Sequence, residues 1–437
     1  MHMRSTVNDS LSSRWQIQIG LLGFLLISAV ANAEEPASQS DSPLPEKYAN
    51  VWANPGGKFH LLTDDILPTY RPRFEGLLAL PQYHQWKREL SSKHGLDYVV
   101  LSAPIFQAGS VDSQDYFDNE IDVLANWRLF ETPERTGEVY FWALWVRTFS
   151  DLPTGAFAQS QGLLAAPNGG FTDPNKDFVA LSALYWQETF KREDGDFSYR
   201  IGHIHASSTW AVIDYLSDDR AFFMASPLSS PLGANWVDSN RGLGAVAAFD
   251  ARNWYVSAGF SDAKGSQEHP DFDSFSDGDF KYVGEVGIST SAGGLPGELK
   301  ITPSYTARTG DTDAPGDRSG WGMVLTATQA VGENLETFAQ YRHSWGRAVG
   351  GFDRVFTAGL MVDPPFGWTD DLTGVGIFYG NPIDPDNRDE YGIEAFYRLQ
   401  LTQRLDVTPD IQIFRAGRAT RTEDTVVVGG LRLRLVF

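Results

Sequence analysis

A stretch between residues 205 and 241 combines aromatic side chains, carboxylates and an arginine, a set that suits binding of small polar molecules. Aromatic rings offer flat apolar surfaces, and polar side chains offer partners for hydroxyl groups. Residues 209–216 are too apolar to extend into water, so we expect this stretch, here called the constriction loop, to fold back into the protein. A lid packed on its own aromatic residues is the alternative. The candidate contact residues are Trp210, Asp214, Asp218, Arg220 and Trp236.

Charged residues of both signs recur on one face of the strands predicted below. Arg128, Glu188 and Arg200 are the expected wall partners of the constriction loop. Glu336 and Arg398 fall on the same face. An interior with both signs of charge suits neutral polyols better than one class of ion. Ion pairs that only hold the wall in shape give the same pattern.

Two further groups carry atoms that bind metals. His203 and His205 share a strand face and could ligate zinc or copper together, but no third ligand is apparent, which favours a role as polar residues of the interior. Carboxylates and amides suited to structural calcium occur in two loops, at Asp311, Asp313 and Asp317, and at Asn381, Asp384, Asp386, Asn387 and Asp389. Solvent-exposed turns without calcium are also rich in Asp, Asn and Pro, so this composition is not specific for a metal site. We expect no cofactor.

The last seven residues, 431–437, indicate what surrounds these groups. Leu431, Leu433 and Phe437 fall on one face of an extended strand, and Arg432 and Arg434 fall on the other, because side chains alternate along a strand. A transmembrane β-barrel ends in this way, with lipid around the leucines and water around the arginines. A strand of a soluble sandwich can show the same alternation, so the rest of the chain must decide.

Sixteen segments after Gly95 have the length and alternation of tilted membrane strands. They are residues 97–108, 115–130, 136–149, 178–191, 196–204, 242–250, 253–262, 280–291, 297–308, 319–331, 334–346, 353–363, 371–381, 388–401, 404–415 and 424–437. The sequence therefore predicts an all-β membrane protein, a 16-stranded antiparallel up-and-down transmembrane β-barrel over residues 96–437.

The links between these segments alternate in length. Links such as 251–252 and 402–403 are brief, whereas 150–177 and 205–241 are long. Bacterial barrels have short periplasmic turns and longer outer loops, so we expect both chain ends on the periplasmic side.

The N-terminal region carries export and linker signals. Residues 1–33 contain two arginines, an apolar run and an Ala-Asn-Ala pattern, which is typical of a secretory signal peptide. Residues 34–80 are rich in Ser, Pro, Asp and Glu and predict a flexible periplasmic leader. Residues 81–95 predict a short helix that Gly95 ends.

Composition excludes several classes of function. The chain has no cysteine, which excludes disulfides, thiolate metal sites and cysteine nucleophiles. Its formal net charge of −21 argues against nucleic acid as a partner.

Seven segments together resemble the carbohydrate-selective porins of Gram-negative outer membranes, the OprB type. They are SYRIGHI (198–204), GLGAV (242–246), WYVSAGFSDA (254–263), GWG (320–322), EAFYRLQLT (394–402), LDVTPDIQ (405–412) and GGLRLRLVF (429–437). The resemblance covers roughly residues 80–437, and it is densest at the end of the chain.

The resemblance implies passive diffusion of monosaccharides such as glucose through a monomeric or weakly trimeric barrel in the outer membrane. It implies as partners the sugar, outer-membrane lipid and lipopolysaccharide, and the barrel-assembly machinery that reads the strand ending in Phe437. Family members usually carry a lysine after the glycine of the fifth strand, where this chain has His203. The identity of the solute therefore stays open at this point.

Three other functions fit parts of the pattern. A porin for polyols or organic acids is the nearest, because mixed charge separates these solutes poorly. A barrel hydrolase needs a nucleophile and an oriented histidine; Ser207, Ser208 and His205 are neighbours, but no G-x-S-x-G elbow is present. A structural barrel with a plugged lumen would not conduct. We expect a channel and no enzyme.

Overall fold

The structure is a computed structural model that describes residues 57–62, 73–74, 76–78, 80–169, 177–229, 241–251, 253–266, 268–310, 317–346, 351–368, 370–418 and 424–437. The predicted signal peptide, residues 1–33, lies outside the described residues. The described residues form sixteen strands: β1 Leu96–Gly109, β2 Asp115–Glu131, β3 Arg135–Thr148, β4 Asp177–Phe190, β5 Asp196–His205, β6 Arg241–Asp250, β7 Trp254–Asp262, β8 Phe280–Ala292, β9 Leu295–Thr306, β10 Gly320–Gly332, β11 Leu335–Trp345, β12 Phe352–Val362, β13 Leu372–Pro382, β14 Glu390–Gln400, β15 Leu405–Arg415 and β16 Thr425–Val436. The same residues include the helices α1 Pro81–His94, α2 Thr154–Ser160, α3 Ser226–Ser229 and α4 Phe272–Ser276.

The strands close into one antiparallel barrel in which each strand pairs with its neighbours in sequence and β1 pairs with β16. At the seam Leu101 lies opposite Val436, and Ile105 lies opposite Arg432. The predicted barrel is confirmed, and the expected strand boundaries differ from the observed ones by two residues at most. Alternation of apolar and polar residues is therefore enough to locate these strands.

The two faces of each strand meet different surroundings. In β16, Arg432 and Arg434 are buried on the inward face, whereas Leu431 and Leu433 are exposed on the outward face. The inward face of β15 carries Asp406, Thr408, Asp410 and Gln412, all buried. No helix among the described residues is long and apolar enough to cross a membrane.

Connections at the two barrel ends differ in length, as the sequence predicts. One end, here called the short-turn end, carries links such as 132–134, 251–253 and 293–294. The opposite end, called the long-loop end, carries links such as 149–176 and 206–240. The first strand begins at the short-turn end and the last strand finishes there.

Helix α1 packs against the barrel wall at the short-turn end. Its C-cap, Gly95, has φ 66°, a left-handed conformation that glycine adopts without steric cost, and its N–H donates to Ser91. The Lys87 ammonium lies 4.6 Å from the centre of the Tyr98 ring. Arg404, in the turn between β14 and β15, lies beside His84, with its NH2 2.9 Å from Nε2. Helix α1 is therefore docked on the turns and on β1.

Docking of α1 is expected to strengthen as the pH rises. Burial, and to a lesser extent the nearby Arg404 guanidinium, lower the pKa of Lys87 from 10.5 to about 7, while Asp97 opposes the shift. Between these two values the unfolded chain binds a proton that the folded chain does not, so stability increases with pH across this window. Burial also lowers the pKa of His84, which acts in the same direction at lower pH.

Denaturant unfolding in detergent at pH 7 and pH 9 measures this effect. The wild type is expected to gain stability relative to the Lys87→Met variant over that interval, because methionine fills the site without titrating. Lys93→Met, at an exposed residue of the same helix, is the control and should follow the wild type. Equal pH dependence of the wild type and Lys87→Met would contradict the expectation.

Residues 57–62 correct one expectation from the sequence. This segment belongs to the predicted periplasmic leader, 34–80, but the structure places it inside the barrel. Phe59, Leu61 and Leu62 are buried in one cluster with inward side chains of β1 to β4. The apolar side chains explain the position, because the inward wall that they cover is itself apolar.

Candidate functional site

The constriction loop enters the barrel directly after β5. Residues 206–208 form a short 3-10 turn, and Trp210 follows in an apolar cluster with Val246, Tyr255 and Val283 from the inward faces of β6 to β8. Trp210 is fully buried there. Its ring therefore fixes the start of the loop to the wall.

Arg220 holds the loop on another part of the wall, strand β2. Its NH1 and NH2 each donate at 2.9 Å to a separate carboxylate oxygen of Asp118 on β2. NH2 also lies 3.3 Å from Glu120. All three side chains are buried. A two-pronged arginine–carboxylate pair of this kind fixes both the position and the orientation of the loop.

Backbone atoms of the loop are held by charged wall residues. The Glu394 carboxylate on β14 accepts from the amides of Met224 at 2.5 Å and Ala225 at 2.9 Å. Arg432 on β16 donates to the carbonyl oxygens of Asp219 and Phe222 at 2.7 and 2.8 Å. Many lumen charges thus satisfy buried backbone groups of the loop, which would otherwise be left without partners.

The link between β3 and β4 also folds inward, which the sequence did not predict. Glu390 accepts from the amides of Leu164 at 2.8 Å and Ala165 at 2.7 Å. Ala166 and Ser226 exchange hydrogen bonds, so this link rests on the constriction loop. Two loops therefore narrow the lumen from the long-loop end.

One group of loop and wall residues combines an aromatic ring with both charge signs. Phe222 is half-buried, and its ring centre lies 5.5 Å from the guanidinium carbon of Arg398. The Tyr215 ring is also a neighbour, at 6.4 Å and edge-on. The Tyr215 hydroxyl donates to Glu336 at 2.7 Å. This group, here called the Phe222 cluster, can present a ring face, a donor and an acceptor to a solute.

The predicted contact residues are distributed along the lumen. Asp218 is buried and accepts from the Arg220 amide at 2.9 Å, so it shapes the loop turn. Arg200 is buried and donates to Gln187 at 2.6 Å. Glu188 accepts from the Tyr199 hydroxyl at 2.6 Å, and Arg128 pairs with Glu131 at 3.1 Å. Glu188 and Glu131 both lie near the short-turn end. The Asp214 side chain and Trp236 lie outside the described residues.

The structure brings only part of this set together. Asp218 and Arg220 share one turn, while Arg128, Glu188 and Arg200 lie on other parts of the wall. The sequence analysis placed Glu336 and Arg398 on the inward face but did not select them, and it gave tryptophans precedence over Phe222. The sequence did contain a signal for Phe222, because this residue lies in the same loop as the selected acids.

The histidines and loop carboxylates have protein partners. His203 Nε2 lies 3.0 Å from the Leu181 carbonyl oxygen, and His205 Nδ1 lies 2.6 Å from Ser208 Oγ. Ser208 is buried inside the barrel, away from lipid. Asp389 accepts from Tyr379 and Asn381. Within the described ranges, no group of three or more His, Asp or Glu residues is placed to hold a metal ion; Asp311 and Asp313 lie outside them.

A closed sixteen-stranded barrel with a loop fixed across its lumen defines a porin. The model of the carbohydrate-selective porin family, OprB, matches residues 154–437, and the chain belongs to this family. It is similar to the high-pH structure of Pseudomonas putida OprB, with 14% identity, a TM-score of 0.65, and coverage of 82% of this chain and 97% of that one. The low-pH structure of Pseudomonas putida OprB gives 15% identity, a TM-score of 0.54, and 82% and 98% coverage. No curated protein sequence matches the chain. The family and the barrel together indicate a channel of the Gram-negative outer membrane.

Proposed function

We propose that this porin lets monosaccharides such as glucose diffuse passively across the outer membrane, with the Phe222 cluster as the selective contact. Sugar rings combine apolar C–H faces with hydroxyl groups, so a ring face flanked by a donor and an acceptor matches them. Weak contacts suffice, because a conducting site must also release its solute. The predicted residues of the turn and wall, Asp218 and Glu188 among them, belong to the same proposed path.

The observation that carries the proposal is the position of Phe222 near groups of both charge signs. Arg398 lies over the ring, and the Tyr215–Glu336 pair lies next to it. A passage for one class of ion would favour one sign of charge at its constriction. A neutral solute with many hydroxyl groups can use both.

Replacing Phe222 with alanine is expected to weaken block of the channel by glucose. An aromatic contact contributes about 0.5–1.5 kcal/mol, which corresponds to about two- to tenfold weaker block. Single-channel recordings in planar bilayers with graded glucose give the value. Phe272→Ala, at an exposed residue of α4 in an outer link, is the matched control, and glucose should block this variant as strongly as it blocks the wild type. Unchanged glucose block in Phe222→Ala would contradict the assignment.

The same recordings separate glucose from the alternative solutes. Maltose, succinate and phosphate are added in turn as blockers of the potassium chloride current. The proposal expects stronger block by glucose than by succinate or phosphate. Stronger block by succinate would favour a porin for organic acids instead.

The orientation and the partners follow from the same proposal. The short-turn end faces the periplasm, and the signal peptide over residues 1–33 is removed on export. The outward residues meet lipid and lipopolysaccharide, and Phe437 marks the strand that barrel-assembly machinery reads. Association of three barrels is part of the family resemblance; native mass spectrometry in detergent measures it.

A further inference from the structure

Residues 57–62 occupy an aromatic pocket on the inward face of the barrel. The Phe59 ring meets the rings of Tyr140, Trp142 and Tyr185 edge-on, at 5.5, 5.9 and 6.5 Å between centres. These three wall residues lie on β3 and β4. Edge-on contacts between aromatic rings are favourable beyond the area that they bury.

Lys58 places its ammonium between two acids of β2. It donates to Glu120 and, at 2.9 Å, to Asp122. Trp142 also donates to Asp122, through Nε1 at 2.7 Å. The Lys58 side chain is almost fully buried, and its charge is balanced by the carboxylates around it. A buried ammonium is tolerated only with such partners, so the position of the segment is specific.

The wall beneath the segment is apolar where a water-filled barrel is normally polar. Val99, Leu101 and Ala103 point inward from β1 and are fully buried. They cluster with Leu61 and Leu62 of the segment. Inward apolar residues in a channel would face water if nothing covered them. The wall of β1 to β4 is therefore built to receive this segment.

The segment and the constriction loop also share a partner. Glu120 pairs with Lys58 through one carboxylate oxygen and with Arg220 through the other, at 3.3 Å. The two elements reach the same strand from different parts of the chain. Each of them supplies positive charge to the acids of β2.

We propose that residues 57–62 are a lumen insert, a further constriction element that narrows the β1–β4 side of the passage. The constriction loop reaches the same side at β2, through Arg220, whereas the insert covers the inward faces of β1 to β4. With the insert in place, three elements set the conducting cross-section: the constriction loop, the link between β3 and β4, and the insert, which shares Glu120 with the loop. This role concerns pore size and is independent of which solute passes.

The test uses the full chain with Lys58→Glu and Phe59→Ala combined. Repulsion from Glu120 and Asp122, together with loss of the aromatic contacts, is expected to displace the insert and raise single-channel conductance in potassium chloride by several-fold. Lys93→Glu, at an exposed residue of α1, makes the same charge change away from the insert and should conduct as the wild type does. Resistance of the folded band to SDS before boiling checks that the barrel is formed.

A charge swap separates pore closure from a purely structural role. Lys58→Glu alone should raise conductance, and adding Asp122→Lys should return it toward the wild-type value by restoring an ion pair in reversed order. This comparison stays informative if the first double variant folds poorly, because the swapped variant retains Phe59. Wild-type conductance in a folded Lys58→Glu variant, or no reversal by Asp122→Lys, would overturn the proposal. Neither result bears on glucose block at Phe222.

Discussion

Replacing Arg220 with glutamine is expected to release the constriction loop from β2 and to raise single-channel conductance several-fold while sugar block falls. Asp118 loses both prongs of its pair, at 2.9 Å each, inside a buried site. Removing one partner of a buried ion pair costs about 3–5 kcal/mol, because the remaining charge is left uncompensated. The barrel itself should stay closed, since its strand ladder does not depend on this contact.

Bilayer conductance with and without glucose measures the opening, and thermal unfolding in detergent reports the loss of stability. Arg308→Gln is the control, because that side chain is exposed beyond β9. A second variant, Arg220→Met with Asp118→Leu, removes both charges. It should regain stability relative to Arg220→Gln, since the Asp118 carboxylate is no longer left buried without its partner. Wild-type conductance in a folded Arg220→Gln variant would show that the loop is held by its other contacts alone.

Replacing Leu431 with arginine is expected to prevent stable insertion of the barrel. Leu431 lies on the outward face near the middle of β16, opposite Pro409 on β15 and Phe106 on β1. A charged side chain on the lipid face near the bilayer midplane costs about 2–4 kcal/mol. The neighbouring Arg432 carries the same charge without this cost, because it points inward and binds loop carbonyl oxygens.

Folding into lipid vesicles, followed by the shift of the folded band in unheated gels, measures the effect of Leu431→Arg. Leu431→Val keeps an apolar side chain at the same place and should insert as the wild type does. Full insertion of Leu431→Arg with unchanged urea resistance would mean that this face of β16 does not meet the lipid interior.

The barrel was predictable because membrane and water impose a repeating rule on every strand. Leu431 and Arg432 obey it in the last strand as Ile393 and Glu394 do in β14. The rule is local, so it can be read from a few residues at a time. The positions of the links were predictable as well, because consecutive strands run in opposite directions and successive links must alternate between the two barrel ends.

The lumen contacts were harder to predict because they join residues that are distant in sequence. Arg220 meets Asp118, and Glu394 meets the amides of residues 224 and 225, through closure of the whole barrel. No local pattern specifies such partners. One signal was nevertheless present for the insert: β1 is apolar on both faces, as Val99 and Val100 show, which indicates that its inward side is covered.

The pairing of β1 with β16 has a consequence for biosynthesis. The first strand finds its second neighbour only when the last residues are available, since Leu101 faces Val436 and Val100 exchanges hydrogen bonds with Phe437. A chain that lacks its C-terminal strand would expose two edge strands with unpaired backbone groups, which are prone to pair with other chains and aggregate. Ring formation therefore requires residues 425–436, and chains shortened before them are expected to aggregate.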